Sequence, residues 1–274
     1  MKDYIPISLV GSLYKILAKV LANRIIRVLD SVVGESQMVF IKNRQILDSF
    51  IIADEIIHHW KKSYEEGLLL KLDFKKAYDS VDHVFIDDIL SEMGFGERWR
   101  FWMKCCIITL MFSVLVNGSP TRQFKIKKGL KQGDPLSPFL FNMEVEGLNA
   151  LFKKAETKGL MKGVTLGMEA VHVSYLQFSD DTILFLQLKI EYLLNVRRML
   201  RCFELASRLR INFQKTCLVK VGKRRNGEED WASIFRCSKA SCPISYLGLP
   251  LGGWPFSKIF WSKLIRRIEN RLAL

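Results

Sequence analysis

Between residues 13 and 28 the apolar positions Leu13, Ile16, Leu17, Val20, Leu21, Ile25 and Val28 return at helical spacing, with Lys15, Lys19, Asn23 and Arg27 on the other faces. This predicts an amphipathic helix with a basic side, closed near Gly34. A second helix is predicted over residues 44–62. Gly67 interrupts that pattern, and LLLKLDF reads as a buried strand ending at Asp73. Ser80 or Asp82 is placed to cap a helix carrying Phe85, Ile86, Ile89, Leu90 and Met93, closed by Gly94. After a helix containing Trp99 and Trp102, Phe112, Val114 and Val116 alternate. Asn117-Gly118 then turns the chain and Phe124 and Ile126 alternate again, a hairpin signal.

In the second half, GLKQGDPLSPFLFNMEVEGLNALF reads as a glycine-rich loop followed by a helix. Ser137 is the expected N-cap and Pro138 the first helical residue, with Phe141, Val145, Leu148 and Phe152 as the buried stripe. HVSYLQFSDDTILFLQL predicts a second hairpin with Asp180 and Asp181 at its tip. A long basic helix follows, with Leu193, Val196, Leu200 and Phe203 on one side. Beyond residue 222 come a polar loop (GKRRNGEED), the Gly-rich YLGLPLGG and a last helix from about residue 257. There is no internal repeat. The order of elements predicts an α+β fold, an antiparallel sheet with helices packed on one face.

The chain has 274 residues and a formal net charge of +14. Its length permits one large domain or several subdomains, and its charge points to an acidic partner such as nucleic acid. The six cysteines form no disulfide framework and no paired CxxC spacing, so free thiols are expected. The longest apolar stretch without charge, residues 105–116, is too short to span a bilayer. The first residues, broken by Pro6, Lys15 and Lys19, resemble neither a signal peptide nor an anchor, so no membrane partner is expected.

Asp180 and Asp181 sit between two very apolar segments. Two carboxylates ~4 Å apart repel by roughly 4 kcal/mol at an effective dielectric of 20. One account is an exposed turn, where Asp is common. The other is a site in which Asp73, ending a neighbouring strand, meets Asp180 at one edge of the sheet. Carboxylates without a His or Cys partner suit a hard cation, Mg2+ rather than zinc. Two such ions about 3.5–4 Å apart can activate a hydroxyl and stabilise a leaving phosphate oxygen.

KLDFKKAYD, GLKQGDPLSP and LQFSDD occur in this order and together resemble motifs A, B and C of reverse transcriptases. PISLVGSLYKILAKVLANRI, QMVFIKNRQILDSFIIADEII, INFQKT and YLGLPLGG narrow the resemblance to the non-LTR (LINE-type) retrotransposon enzymes of plants, over practically the whole chain. It implies a right-hand polymerase fold: fingers-like helices over 1–66 and a palm over 67–222 with part of the fingers inserted at about 94–128. A primer-grip region with an incomplete thumb would occupy 223–274. The implied activity is RNA-directed DNA polymerisation, with an RNA template, a DNA primer and dNTPs as partners and two Mg2+ ions, or Mn2+, as cofactors. Asp73, Asp180 and Asp181 match the catalytic, metal-binding carboxylates, with the ligand role of Asp181 left open. Tyr78 matches the aromatic steric gate beneath the incoming sugar. Lys42, Arg44, Phe74, Gln132, Gly133 and the motif D lysine, Lys215, match the nucleotide-binding set. Tyr246, Leu247 and Gly248 resemble the primer-grip turn. Arg197, Arg198 and Arg201, with Arg208 and Arg210, make a basic set suited to the phosphates of an RNA–DNA duplex.

The sequence also departs from that pattern. Ile5 stands where relatives usually have Arg, Asn43 and Arg208 where Gly is more usual, and Ser179 where Ala is common. No endonuclease region precedes Met1 and the thumb is cut short, which reads as a fragment of a longer element. The rival expectation is therefore a truncated remnant that binds RNA without polymerising. An unrelated two-metal nuclease is a third reading, short of the His or Glu residues such a site needs. The lineage implies an intracellular, nuclear location, with GKRR as a weak import-like stretch.

Overall fold

A computed structural model describes residues 11–63, 65–108, 111–167, 170–222, 231–254 and 256–272. Ile5, Pro6 and the Lys-Arg-Arg of GKRR lie outside the described residues. The chain opens with α1 (Ser12–Ile26) and α2 (Leu29–Val32), then a loop and α3 (Ile46–Ser63) lead into β1 (Gly67–Leu72). α4 (Ala77–Ser80), α5 (His83–Glu92) and α6 (Glu97–Ile108) follow. Two small ladders, β2 (Met111–Phe112) with β5 (Phe124–Lys125) and β3 (Leu115–Val116) with β4 (Ser119–Pro120), form the first hairpin. Next come α7 (Ser137–Thr157), the pair β6 (Val164–Leu166) and β7 (Val171–Val173), and the hairpin β8 (Tyr175–Phe178) and β9 (Asp181–Gln187). The rest is α8 (Ile190–Ser207), β10 (Cys217–Val221), α9 (Trp231–Phe235), β11 (Ser238–Ala240), the hairpin β12 (Ile244–Tyr246) and β13 (Leu249–Leu251), and α10 (Lys258–Leu272).

The central sheet has the order β11-β10-β1-β9-β8, with β1 antiparallel to both of its neighbours. Side chains alternate across a strand, and the apolar run of β1 feeds two cores. Leu68, Leu70 and Leu72 join Leu184 and Leu186 under α5, α7 and α8, the face the sequence predicts to be covered by helices. Leu69 joins Ile183, Phe185, Val219 and Val221 on the other face, which α3 and the β12–β13 hairpin cover through Ile56, Ile57, Trp60, Ile244, Tyr246 and Leu251. Each of the large aliphatic side chains buried there is worth roughly 1.5–3 kcal/mol.

Local chemistry decides one open alternative and departs from expectation at two points. Of the two expected caps of α5, Asp82 is the one used, accepting from Val84 N and Phe85 N. Ser137 does not cap α7: Asp134 Oδ2 accepts from Leu136 N, Ser137 N and Ser137 Oγ at 3.2, 3.0 and 3.0 Å. A carboxylate can satisfy several orphan donors of a helix start where a hydroxyl satisfies one. Strand β10 was not predicted, although Leu218, Val219 and Val221 carry its apolar positions. The hairpin at Asn117-Gly118 forms as read, with φ of 50° and 81° at the two turn residues. Among the described residues no helix is long and apolar enough to cross a membrane.

Candidate active site

Register decides where the carboxylates go. Leu72 pairs with Thr182, so the chain leaves β1 at Asp73 beside Asp181 on β9. Phe178 pairs with Asp181, which makes Ser179-Asp180 a two-residue turn. Ser179 has φ of 57°; a positive φ at the first central position alone is the type II′ pattern. Neighbouring aspartates that would diverge on a regular strand are thus split between the turn and the strand. Asp181 shares its face with Ile183 and Phe185, on the side of α3 and the β12–β13 hairpin.

Asp180 is open to solvent on one side and walled by protein on the other. Burial of its carboxyl raises its pKa, and the charges of Asp181 and Asp73 raise it further, against hydrogen bonds that lower it. Asp73 is held from a separate segment. Its Oδ2 accepts from Asn212 Nδ2 at 2.9 Å, its carbonyl accepts from Asn212 N at 2.7 Å and its N–H donates to Thr216 Oγ1 at 3.3 Å. Exposed Lys215 lies in the same 212–216 turn, so the structure brings it to the carboxylate end.

Tyr78 stands in α4 against the Ser179-Asp180 turn. Its hydroxyl is 3.4 Å from Ser179 Oγ and its ring stacks on Phe141 with centroids 4.7 Å apart. Burial raises its pKa, partly offset by Ser179, and the charge of Asp180 raises it further. The 129–134 loop docks on the same segment: Gly129 N donates to Val81 O at 2.8 Å and Leu130 N to Tyr78 O at 2.7 Å. Gly129 has φ of 91°, and a Cβ there would lie 2.9 Å from Asp79 O; only glycine permits that approach. Gln132 and Gly133 follow on the solvent side of the loop, Gly133 itself at φ of 91°.

The 34–45 loop is stitched to the edge of the aspartate hairpin. Met38 N donates to Gln177 O and Gln177 N to Ser36 O, both at 2.9 Å, while Gln177 Nε2 donates to Ser179 O at 3.2 Å. Arg44 Nη1 donates to Gly34 O at 2.8 Å and to Gln37 O at 2.6 Å, which makes Arg44 a brace of the loop, whereas Lys42 is exposed on it. Across the sheet end, Leu247 and Gly248 form the turn of the β12–β13 hairpin with φ of 50° and 81°. Tyr246 is fully buried; burial raises its pKa, and the charge of Asp181 adds to it.

Other candidates do not reach this place. Phe74 is a buried core side chain, tied through an isolated bridge to Ile211, and offers a nucleotide no side-chain surface. Arg197, Arg198 and Arg201 ride on α8, which covers the sheet face opposite Asp181. Arg197 donates to Ile234 O at 2.7 Å, Arg198 to Asn195 Oδ1 at 3.1 Å and Arg201 to Glu204 Oε2 at 3.2 Å. The same helical spacing that makes this arginine set a stripe turns it away from the sheet, because the apolar stripe faces inward. Asn212, Gln177 and Lys71, which contact the site's carboxylates or their turn, were not singled out from sequence; Gln177 and Lys71 flank the carboxylate motifs and Asn212 lies in INFQKT, and only partners remote in sequence give these polar positions meaning.

Among the described residues no three acidic, His or Cys side chains stand close enough to enclose a metal ion as they are. The donor set is nevertheless all oxygen, and Asp180 lies within range of the charges of Asp181 and Asp73. Asp73 uses Oδ2 to accept from Asn212. This chemistry fits a hard divalent ion.

Residues 1–251 match the family described as reverse transcriptase (RNA-dependent DNA polymerase). The chain is 29% identical over 266 residues, 95% of its length, to the transposon TX1 uncharacterized 149 kDa protein of Xenopus laevis. It is 31% identical over 180 residues, 65% of its length, to the retrovirus-related Pol polyprotein from the type-1 retrotransposable element R2 of Popillia japonica. These matches span only 20% and 24% of those two proteins. Among solved structures, telomerase from Candida tropicalis in complex with a TWJ fragment of telomeric RNA superposes with a TM-score of 0.56. That match has 14% identity and covers 93% of this chain and 41% of the telomerase, a likeness of the right-hand polymerase fold.

Proposed function

Because the chain belongs to the reverse transcriptase (RNA-dependent DNA polymerase) family, on its non-LTR retrotransposon branch, we propose that it is a fingers-and-palm core that extends a DNA primer with dNTPs on an RNA template. The supporting observation is the meeting of Asp73, Asp180 and Asp181 at one sheet end through the β1–β9 register. Reverse transcriptases work with divalent metal ions; here Asp73 and Asp180 would hold two Mg2+, which when bound supply charge stabilisation to the primer hydroxyl and to the leaving pyrophosphate.

The chain's own residues do the positioning. Asn212 and Thr216 fix Asp73, and the Ser179 turn fixes Asp180. The Tyr78 ring, clamped between Phe141 and Ser179, presents a rigid edge beside Asp180. A 2′-hydroxyl is what separates a ribonucleotide from a deoxyribonucleotide, and a ring held there excludes it by contact. Lys42 and Lys215, exposed on loops that border the site, offer positive charge to the triphosphate and a proton to pyrophosphate. The 247–248 turn faces the primer strand from across the sheet.

The test is primer extension. Purified chain with a primed RNA template, dNTPs and Mg2+ should lengthen the primer, and Asp180→Asn should not. RNA binding without extension, unaffected by Asp180→Asn, would instead mark a non-polymerising RNA-binding remnant.

A further inference from the structure

Lys71 lies two residues before Asp73 on β1, paired with Ile183 of β9. In an antiparallel pair, a long side chain also reaches the residue two places from its partner on the same face. For Lys71 that residue is Asp181. Lys71 Nζ stands 3.6 Å from Asp181 Oδ1, with 24% and 39% of the two side chains exposed. The same nitrogen donates a 3.0 Å hydrogen bond to Ser245 O on β12. One ammonium therefore touches both the second aspartate of the turn motif and the strand that carries the 247–248 turn.

We infer that Lys71 is a positioning residue that ties Asp181 to the β12–β13 hairpin, so that Asp181 faces an internal cation while Asp73 and Asp180 are left to hold the metal ions. The inference rests on the polymerase reading for the identity of the ion, and on geometry alone for the contact. A half-exposed pair of this kind adds little to stability; its consequence is electrostatic and geometric. Its positive charge offsets part of the repulsion between the adjacent aspartates. It also makes the site less negative, which weakens divalent-ion binding.

Lys71→Met keeps an unbranched stem and removes the charge. With Mn2+ alone as probe and free ion followed by electron paramagnetic resonance, the Lys71→Met chain should bind about three- to tenfold more tightly than wild type at low salt. The difference should shrink as salt is added. Lys71→Arg, which keeps the charge, should stay near wild type, and Lys71→Gln should follow Lys71→Met. Affinity unchanged or weakened in both neutral variants overturns the inference that this ammonium engages Asp181 in place of a metal ion, as does loss of folding in both. If wild type binds Mn2+ and Lys71→Met binds it equally, the inference about Lys71 fails alone. If wild type binds no Mn2+, the polymerase reading falls with it.

Discussion

At the scale of single residues, the site gathers groups of like charge. Asp180 keeps a carboxylate near two others, and its raised pKa has a definite sign. A carboxyl whose folded pKa exceeds its unfolded one contributes stability that is present below the ordinary carboxylate range and lost as pH rises through the raised value. At neutral pH without divalent ions the ionised Asp180 is therefore a small liability, and Asp180→Asn should melt higher than wild type. The two melting curves should converge as pH falls below about 4; a thermal melt series from pH 7 to pH 3.5 checks this. Tyr78 gives a second expectation. With the clamped ring removed, Tyr78→Ala should accept ribonucleotides at least about tenfold better relative to deoxyribonucleotides, measured as the ratio of kcat/KM for the two. Asp73, Tyr78 and the Asp180–Asp181 pair were all legible in the sequence, because each sits in a short motif with its own spacing. Their partners were not. Asn212 is 139 residues from Asp73 and Ser179 is 101 from Tyr78, and nothing local in a single sequence links them.

At the scale of elements, helical periodicity was a reliable guide to α7 and α8, whose predicted stripes are buried in full. Ends were harder to read, because caps depend on which side chain reaches the orphan amides; Asp82 does so where Ser80 was the equal alternative, and Asp134 does so where Ser137 was expected. Strand β10 went unread since a five-residue run, CLVKV, has too few repeats to declare a period, yet it completes the sheet beside β1. The two positions where relatives usually have Gly, Asn43 and Arg208, both have positive φ, 65° and 62°. Asn accepts the left-handed region more readily than most residues. Arg208 closes α8 in that conformation and pairs with Asp82 at 2.9 Å, with 74% of its side chain exposed. Left-handed backbone costs a residue with a Cβ about 1–2 kcal/mol, whereas an exposed ion pair is worth about 0–1. Arg208→Gly should therefore stabilise the chain by up to about 1 kcal/mol, read as a higher urea midpoint at unchanged slope.

At the scale of the whole molecule, two cores on opposite faces of one sheet hold a single acidic end rigid inside a protein of net charge +14. The sequence foretold the charge and the α+β architecture, and it foretold one covered face. It did not foretell that α3 and the β12–β13 hairpin close over the second face, because their apolar stripes do not say which surface they meet. That second face is what brings the 247–248 turn and Lys71 to the aspartates. The proposed polymerase function requires segments 73 and 180–181 to share one cation-binding environment. Fe2+ substituted for Mg2+ and treated with ascorbate and peroxide cuts the backbone only next to where the ion binds. The expected fragments end near residues 73 and 180, with the cuts suppressed by excess Mg2+ and absent in the Asp73→Asn, Asp180→Asn double variant. Cleavage confined to one of the two segments, or at sites away from both, would contradict a shared metal-binding centre.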